Sequence, residues 1–161
     1  MTLIIAHRDG WMAADRRETF ESNLLGPYRV AKIKRGKGIL VASAGAGVFQ
    51  DLITEALELI NVDPLRCVVQ VFRDKGKDLG GHALALTSKG ICEITSRGSV
   101  SWLDADYWAI GSGYMIALGY FAGISQGDSA KVTPETAKHA INVAERYVAD
   151  VGDGYQVEHL G

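Results

Sequence analysis

Thr2 is a residue whose position in the chain, more than its type, could do chemistry. Its small side chain permits the ordinary enzymatic removal of Met1, which would leave a threonine as the free N-terminus. Such a residue carries a hydroxyl nucleophile and, in the same residue, an α-amine whose reference pKa of about 7.7–8.0 suits a general base near neutrality. Acyl transfer to the hydroxyl followed by hydrolysis is the reaction that this pairing supports. Alone, Thr2 also reads as the start of an ordinary strand, so its role depends on the residues that surround it.

Other reactive side chains are sparse. Cys67 and Cys92 are the two cysteines, too few for a disulfide framework or a four-cysteine zinc site. Each lies in an apolar stretch, Leu65 to Phe72 and Ile91 to Ile94, and reads as a small core hydrophobe. His7, His82, His139 and His159 show no HxxxH or HExxH spacing and read as structural or exposed.

The 161 residues suit one continuous domain, 1–161, with a substantial core. Composition is that of a globular chain, 47% hydrophobic and 22% charged, which excludes a disordered or coiled-coil class. Seventeen Lys and Arg against nineteen Asp and Glu give a net charge of −2. Without a basic excess to release counterions, neither nucleic acid nor an anionic membrane is an expected partner. No apolar run approaches the roughly 20 residues of a membrane span, and no secretory leader pattern opens the sequence, so the expected location is the cytoplasm.

The elements that must position Thr2 follow from periodicity. Leu3 to His7 and Trp11 to Ala14 flank Arg8-Asp9-Gly10 as a hairpin, and Tyr28 to Lys34 with Gly38 to Ser43 form a second one. After Ala44-Gly45-Ala46-Gly47, residues Val48, Phe49, Leu52, Ile53, Ala56, Leu57 and Ile60 recur at helical spacing, and Leu65, Val68, Val69 and Phe72 form a second stripe. Strand patterns return at His82 to Thr87, Ile91 to Thr95, Val100 to Leu103 and Tyr107 to Ile110. Tyr114 to Ile124 is apolar almost all round, as in a helix covered on more than one side. Thr133-Pro134-Glu135 caps a last helix with Ala137, Ala140, Ile141, Ala144, Tyr147 and Val148 on one face, and Tyr155 to Leu160 adds a terminal strand. Phe20 to Pro27 reads as an irregular excursion. This order does not alternate as βαβ units do, so it favours an α+β sandwich of two antiparallel sheets between helical layers.

Thr2-Leu3-Ile4-Ile5-Ala6, Gly10 to Asp15, Tyr28 to Ile33, Ser43 to Gly47 and Ala109-Ile110-Gly111-Ser112-Gly113, with a fainter match at Asp150 to Gly154, together resemble the N-terminal-nucleophile (Ntn) hydrolases of the proteasome β-subunit family, most of all the bacterial HslV-type peptidase subunits and related bacterial proteasome homologues. The resemblance spans nearly the whole chain and implies a four-layer αββα sandwich. It also implies roles: Thr2 as nucleophile with its own amine as base, Lys32 as the cation that lowers the pKa of that amine, and Asp15 as the carboxylate that pairs with the lysine. Gly45 would present its N–H to the oxyanion, Ser112 would bond the terminal amine and relay its proton, and Asp150 would support Ser112. The residues alone leave alternatives open. Asp15 could be a strand-end residue, Lys32 part of a solvated basic face with Arg29, Lys34, Arg35 and Lys37, and Ser112 a helix cap. Lys34 shares a strand face with Lys32, so pleat parity cannot choose between them, and the family pattern selects Lys32.

Two departures from that pattern stand out. Asp15 runs into Arg16-Arg17-Glu18, where a small or amide residue is usual, and Asp153 takes the place of a common serine. With Asp150, Asp153 raises a structural site for a monovalent or divalent cation, although the chemistry requires no cofactor. The expected protein is a threonine peptidase subunit, active once Met1 is removed, in a self-compartmentalised homo-oligomeric ring or stacked rings. An ATPase unfoldase is an implied partner, and peptides or unfolded proteins are the implied substrates. The alternatives are a catalytically silent ring scaffold and an Ntn-type hydrolase of small amides.

Overall fold

The computed structural model describes residues 2–18, 28–59, 63–77 and 80–161. Strands β1 (Leu3–His7) and β2 (Trp11–Asp15) form the first hairpin. Gly10 closes its turn, donating to the His7 carbonyl at 3.1 Å with φ at +92°, a conformation that glycine adopts without a Cβ penalty. β3 (Arg17–Glu18) pairs with β4 (Tyr28–Arg29), and β5 (Lys34–Gly36) with β6 (Ile39–Gly45). Helices α1 (Val48–Leu57) and α2 (Pro64–Lys75) follow. Then come β7 (Gly81–Thr87), β8 (Gly90–Thr95), β9 (Val100–Trp102) and β10 (Tyr107–Gly111). Helix α3 (Tyr114–Ser125), a short 3-10 turn at Ser129–Lys131, helix α4 (Pro134–Tyr147) and strand β11 (Tyr155–His159) complete the chain.

Two large antiparallel sheets result, ordered β10-β1-β2-β11 and β5-β6-β7-β8-β9, with β3-β4 as a separate two-stranded ribbon. Three apolar clusters make them a four-layer sandwich. One lies between the first sheet and α3/α4, including Leu3, Ile5, Phe121 and Ile141, and another between the second sheet and α1/α2, including Val41, Phe49, Phe72 and Cys92. The third, with Ile4, Met12, Leu40, Leu84 and Ile110, fills the space between the sheets. Successive residues of a strand point to opposite faces, so a strand packed on both sides has no polar face. This explains why Leu3 to His7 reads as a continuous apolar run and why all five residues are buried.

The αββα sandwich is the architecture the element order predicted. Both cysteines are buried, and burial pushes the Cys92 thiol up to about 11, as expected of a core residue. Thr133 caps α4 reciprocally: its Oγ accepts from the Thr136 N–H at 3.3 Å while the Thr136 Oγ accepts from the Thr133 N–H at 2.8 Å. Local expectations fail in three places. The second hairpin does not run unbroken from Tyr28 to Lys34, because residues 30–33 leave the ladder before β5 begins. Tyr147 projects from α4 at 77% exposure, since the apolar stripe of that helix ends at Ala144. Helix α3 buries Ala117, Phe121 and Ser125 and packs Ile116, Leu118, Tyr120 and Ile124 against the same core, but its outer side is left open within the chain, where Met115 stands 70% exposed. The excursion expected at Phe20 to Pro27 and the helical position of Ile60 lie outside the described residues. No helix among the described residues is long and apolar enough to cross a membrane.

Phe121 is fully buried and meets the Tyr107 ring edge-on at 5.4 Å, joining α3 to the first sheet. Phe121→Ala removes that filling and is expected to cost about 3–5 kcal/mol in chemical denaturation, with the m-value unchanged.

Candidate active site

The β1–β2 register, which sets Ile4 opposite Ala14, brings the last residue of β2 beside the first residues of the chain. Asp15 therefore lies next to Leu3, fully buried. Its Oδ1 accepts from the Thr2 hydroxyl at 2.7 Å, the Leu3 N–H at 2.8 Å and the Lys32 ammonium at 2.9 Å, while its Oδ2 accepts from the N–H groups of Arg17 and Gly152, each at 3.2 Å. A carboxylate, which only accepts, suits a position encircled by donors. Lys32 also donates to the Thr2 hydroxyl, and both residues are 4% exposed. Thr2, Asp15 and Lys32 thus form one dry cluster around a hydroxyl. With Met1 attached, the Thr2 nitrogen is a peptide nitrogen.

Lys32 sits in the segment that leaves the sheet, and two anchors hold that segment in place. The Val30 N–H donates to the Arg16 carbonyl at 2.9 Å. On the other side of Lys32, the Gln156 side chain does the work of a neighbouring strand: its Oε1 accepts from the Ile33 N–H at 3.0 Å, and its Nε2 donates to the Ile33 carbonyl at 3.1 Å. Gln156 lies opposite Ala14, one residue from Asp15, and so ties the lysine segment to the strand that carries its counterion. Next along β11, Glu158 binds Arg35 at 2.9 Å, and that hydrogen bond is the main cause holding its carboxyl below the usual glutamate range. Lys34 lies on β5, outside this cluster.

Gly111 stands opposite Leu3, with φ at +94°. A Cβ there would lie 2.0 Å from the Thr2 carbonyl oxygen, so only glycine lets β10 approach the terminus this closely. The exposed Ser112 places its Oγ 3.4 Å from that same carbonyl, a long contact for a hydroxyl donor. Gly45 ends β6 at φ +134°, where a Cβ would lie 2.6 Å from the Gly80 carbonyl oxygen and 2.8 Å from the Gly81 Cα. Close strand approach therefore demands glycine at position 45, whatever its N–H does.

The two sequence departures turn out to be partners. Arg17 Nε donates to Asp153 Oδ2 at 2.8 Å, and the same guanidinium reaches the Ala149 carbonyl at 2.6 Å and Glu145 at 3.5 Å. The bond to Asp153 is the leading cause raising the Arg17 pKa above its ordinary value. Backbone bonds from Arg16 and Arg17 to the Gly152 carbonyl, at 3.1 and 2.9 Å, fasten the same loop. From this loop it is the Gly152 N–H that reaches Asp15. Asp150 is half-buried and makes no hydrogen bond to Thr2 or Ser112 among the described residues. Its partner in the expected cation site, Asp153, faces a guanidinium, and the described residues contain no group of three or more His, Cys, Asp or Glu side chains able to hold a metal. Gln156, Gly152 and the Arg17–Asp153 pair are the residues that sequence reasoning missed. The paired departures were the one signal that could have revealed the last of these.

This architecture defines the class: the chain has the fold of the proteasome-type N-terminal-nucleophile hydrolases. Among solved structures it is similar to HslV from Trypanosoma brucei at 18% identity and a TM-score of 0.70, with 98% of each chain covered. It is similar also to BPH of Thiobacillus denitrificans, solved in complex with epoxomicin, at 20% identity and a TM-score of 0.71, with 100% of each chain covered. Anbu from Hyphomicrobium sp. strain MC1 gives 15% identity and a TM-score of 0.74, over 98% of this chain and 80% of that one. No family model and no curated protein sequence matches the chain.

Gln156→Leu removes both bonds to Ile33 and leaves a backbone donor and acceptor unpaired. The expected loss is about 1–3 kcal/mol, with faster amide exchange at Ile33 as the local signature. Exchange at Ile33 that matched the parent protein would show that Gln156 does not hold the segment.

Proposed function

We propose that the chain is a threonine peptidase subunit whose nucleophile is the Thr2 hydroxyl, exposed to its own α-amine when Met1 is removed. The observation that carries this reading is the buried hydroxyl held between the Lys32 ammonium and the Asp15 carboxylate. A hydroxyl needed only for structure has no use for a buried cation, whose desolvation is costly unless it is paired.

In this mechanism the amine takes the hydroxyl proton as Oγ attacks the scissile carbonyl, and returns it to the leaving amine as the bond breaks. The acyl-threonine ester is then hydrolysed by water that the same amine activates. Lys32 keeps that amine unprotonated near neutrality, because a neighbouring positive charge disfavours a second one. Asp15 keeps Lys32 charged and aimed. The Gly45 N–H would meet the developing oxyanion, a contribution of about 2.7–4 kcal/mol where such a donor is well placed. Ser112, next to the Thr2 carbonyl, would pass protons to and from the freed amine. Asp150 would act on Ser112 only after a local shift.

The outer side of α3, with Met115 70% exposed beside the small residues Gly119, Ala122 and Gly123, is a surface on which copies of the chain would meet in a homo-oligomeric ring that encloses the sites; peptides or unfolded chains would be its substrates and an ATPase unfoldase its partner.

Lys32→Ala is expected to lower peptide turnover by orders of magnitude, whereas Lys34→Ala leaves it within a few-fold. The reverse result, read from kcat of the two variants, would move the assignment to Lys34.

Met1 is the switch. An amide nitrogen has no basic lone pair, so protein that retains Met1 is expected to be inert and unlabelled by epoxomicin, a peptide epoxyketone that engages hydroxyl and amine together. The form without Met1 gains peptidase activity and a stoichiometric adduct on Thr2, and both vanish in Thr2→Ala. Intact mass and fluorogenic-peptide turnover on the three proteins read this out. Equal activity with and without Met1 would overturn the mechanism, and silence in both forms would point to a scaffold subunit.

A further inference from the structure

The space between the sheets is filled by apolar side chains along β7, β8 and β10: Leu84, Leu86, Ile91 and Ile110 belong to the central cluster and Trp108 packs against it. Pleat parity places His82 and Glu93 on that same inner face, and there the pattern breaks. His82 Nδ1 lies 2.9 Å from Glu93 Oε1, and the two line a cavity of about 370 Å³ with Trp108, Ile110, Gly111 and Tyr114. A polar pair at inward positions beside a cavity calls for a reason other than packing, because apolar residues would fill the site at lower desolvation cost.

Location supplies one. Gly111 forms part of the cavity wall and also stands against the Thr2 carbonyl, so the cavity lies one glycine away from the backbone of the nucleophilic residue. His82 follows Gly81, the residue paired with Gly45, so the polar pair sits at the same end of the sandwich as the candidate oxyanion donor.

The chemistry of the lining selects a ligand. Only one oxygen of Glu93, Oε1, faces the imidazole; Oε2 is an acceptor with no partner among the described residues. The Glu93 side chain is 26% exposed, so its charge is weakly screened by water. Trp108 and Tyr114 add aromatic surface on which an aliphatic stem or a guanidinium can lie. Volume, a carboxylate with one open oxygen and aromatic walls match one long basic side chain.

We propose that this cavity is a substrate subsite that takes a lysine or arginine side chain of the peptide near the scissile bond, with Glu93 as the residue that sets the preference. The proposal deepens the peptidase reading and rests on it.

The test uses protein freed of Met1 and fluorogenic peptides in which each position flanking the cleaved bond carries Arg, Leu or Glu in turn. At one position Arg is expected to exceed Leu in kcat/KM by about two- to fivefold, chiefly through KM, the size of effect of one partly exposed ion pair. Glu93→Gln brings that ratio near one, and Glu93→Lys inverts it in favour of Glu at the same position. The inversion is a result that misfolding cannot produce. A ratio near one at every position in the parent protein, or a preference unchanged in both variants, overturns the subsite. Binding of Nα-acetyl-arginine amide, followed by calorimetry on the protein with Met1 retained, separates the two layers of the argument. Binding that Glu93→Gln abolishes, with no peptide cleaved by the Met1-free form, keeps the cavity as a basic-ligand site and removes the peptidase reading. No binding in the parent protein removes the subsite whatever the peptides show.

Discussion

The buried carboxylate of Asp15 is the constraint on which the rest of the site depends. A carboxylate removed from water is tolerated only when its lone pairs are met, and here the donors come from four separate parts of the chain: the N-terminal residues Thr2 and Leu3, the irregular segment with Lys32, the Arg17 backbone and the Gly152 loop. One side chain therefore decides where the terminus, the lysine and the C-terminal loop must lie. The β1–β2 register delivers it, and the inter-sheet core keeps water from competing with its partners.

Arg17 and Asp153 show how such a site can absorb change. A long guanidinium at the edge of the site would disturb the loop beside it if it lacked an acceptor, and an aspartate at the loop would be a poor neighbour for a buried carboxylate. Together they neutralise each other, and the guanidinium also holds the Ala149 carbonyl. The loop that feeds Gly152 to Asp15 is thereby tied down from the side chains as well as from the backbone. The pair takes over a structural task, and it places a cation of the protein's own against Asp153.

On the edge of the first sheet, β11 solves a different problem. Residues 30–33 leave the ladder, which would strand backbone donors and acceptors next to a dry core. Gln156 supplies the missing strand's donor and acceptor from a single amide, and Glu158 with Arg35 extends the stitch by one pleat. The irregularity is useful because it frees the Lys32 side chain to turn toward Asp15.

The sequence by itself determined the layers. Periodicities of 2 and 3.6, the Gly10 turn, the Thr133 cap and the apolar runs of doubly covered strands are local properties, written in neighbouring residues, and they lead to two antiparallel sheets between helices. Chain position singled out Thr2, and an ordered set of short motifs singled out Asp15 and Lys32, the three side chains that the structure brings together. Pleat parity does not separate Lys32 from Lys34, and only the tertiary structure showed the preferred lysine turning onto the hydroxyl from a segment that leaves the sheet. The same holds for Gln156, 123 residues from Ile33, for Asp153, 136 residues from Arg17, and for Gly152, 137 residues from Asp15. A side-chain bond across such a span leaves no periodic trace, because its partners become neighbours only after the sheets have packed.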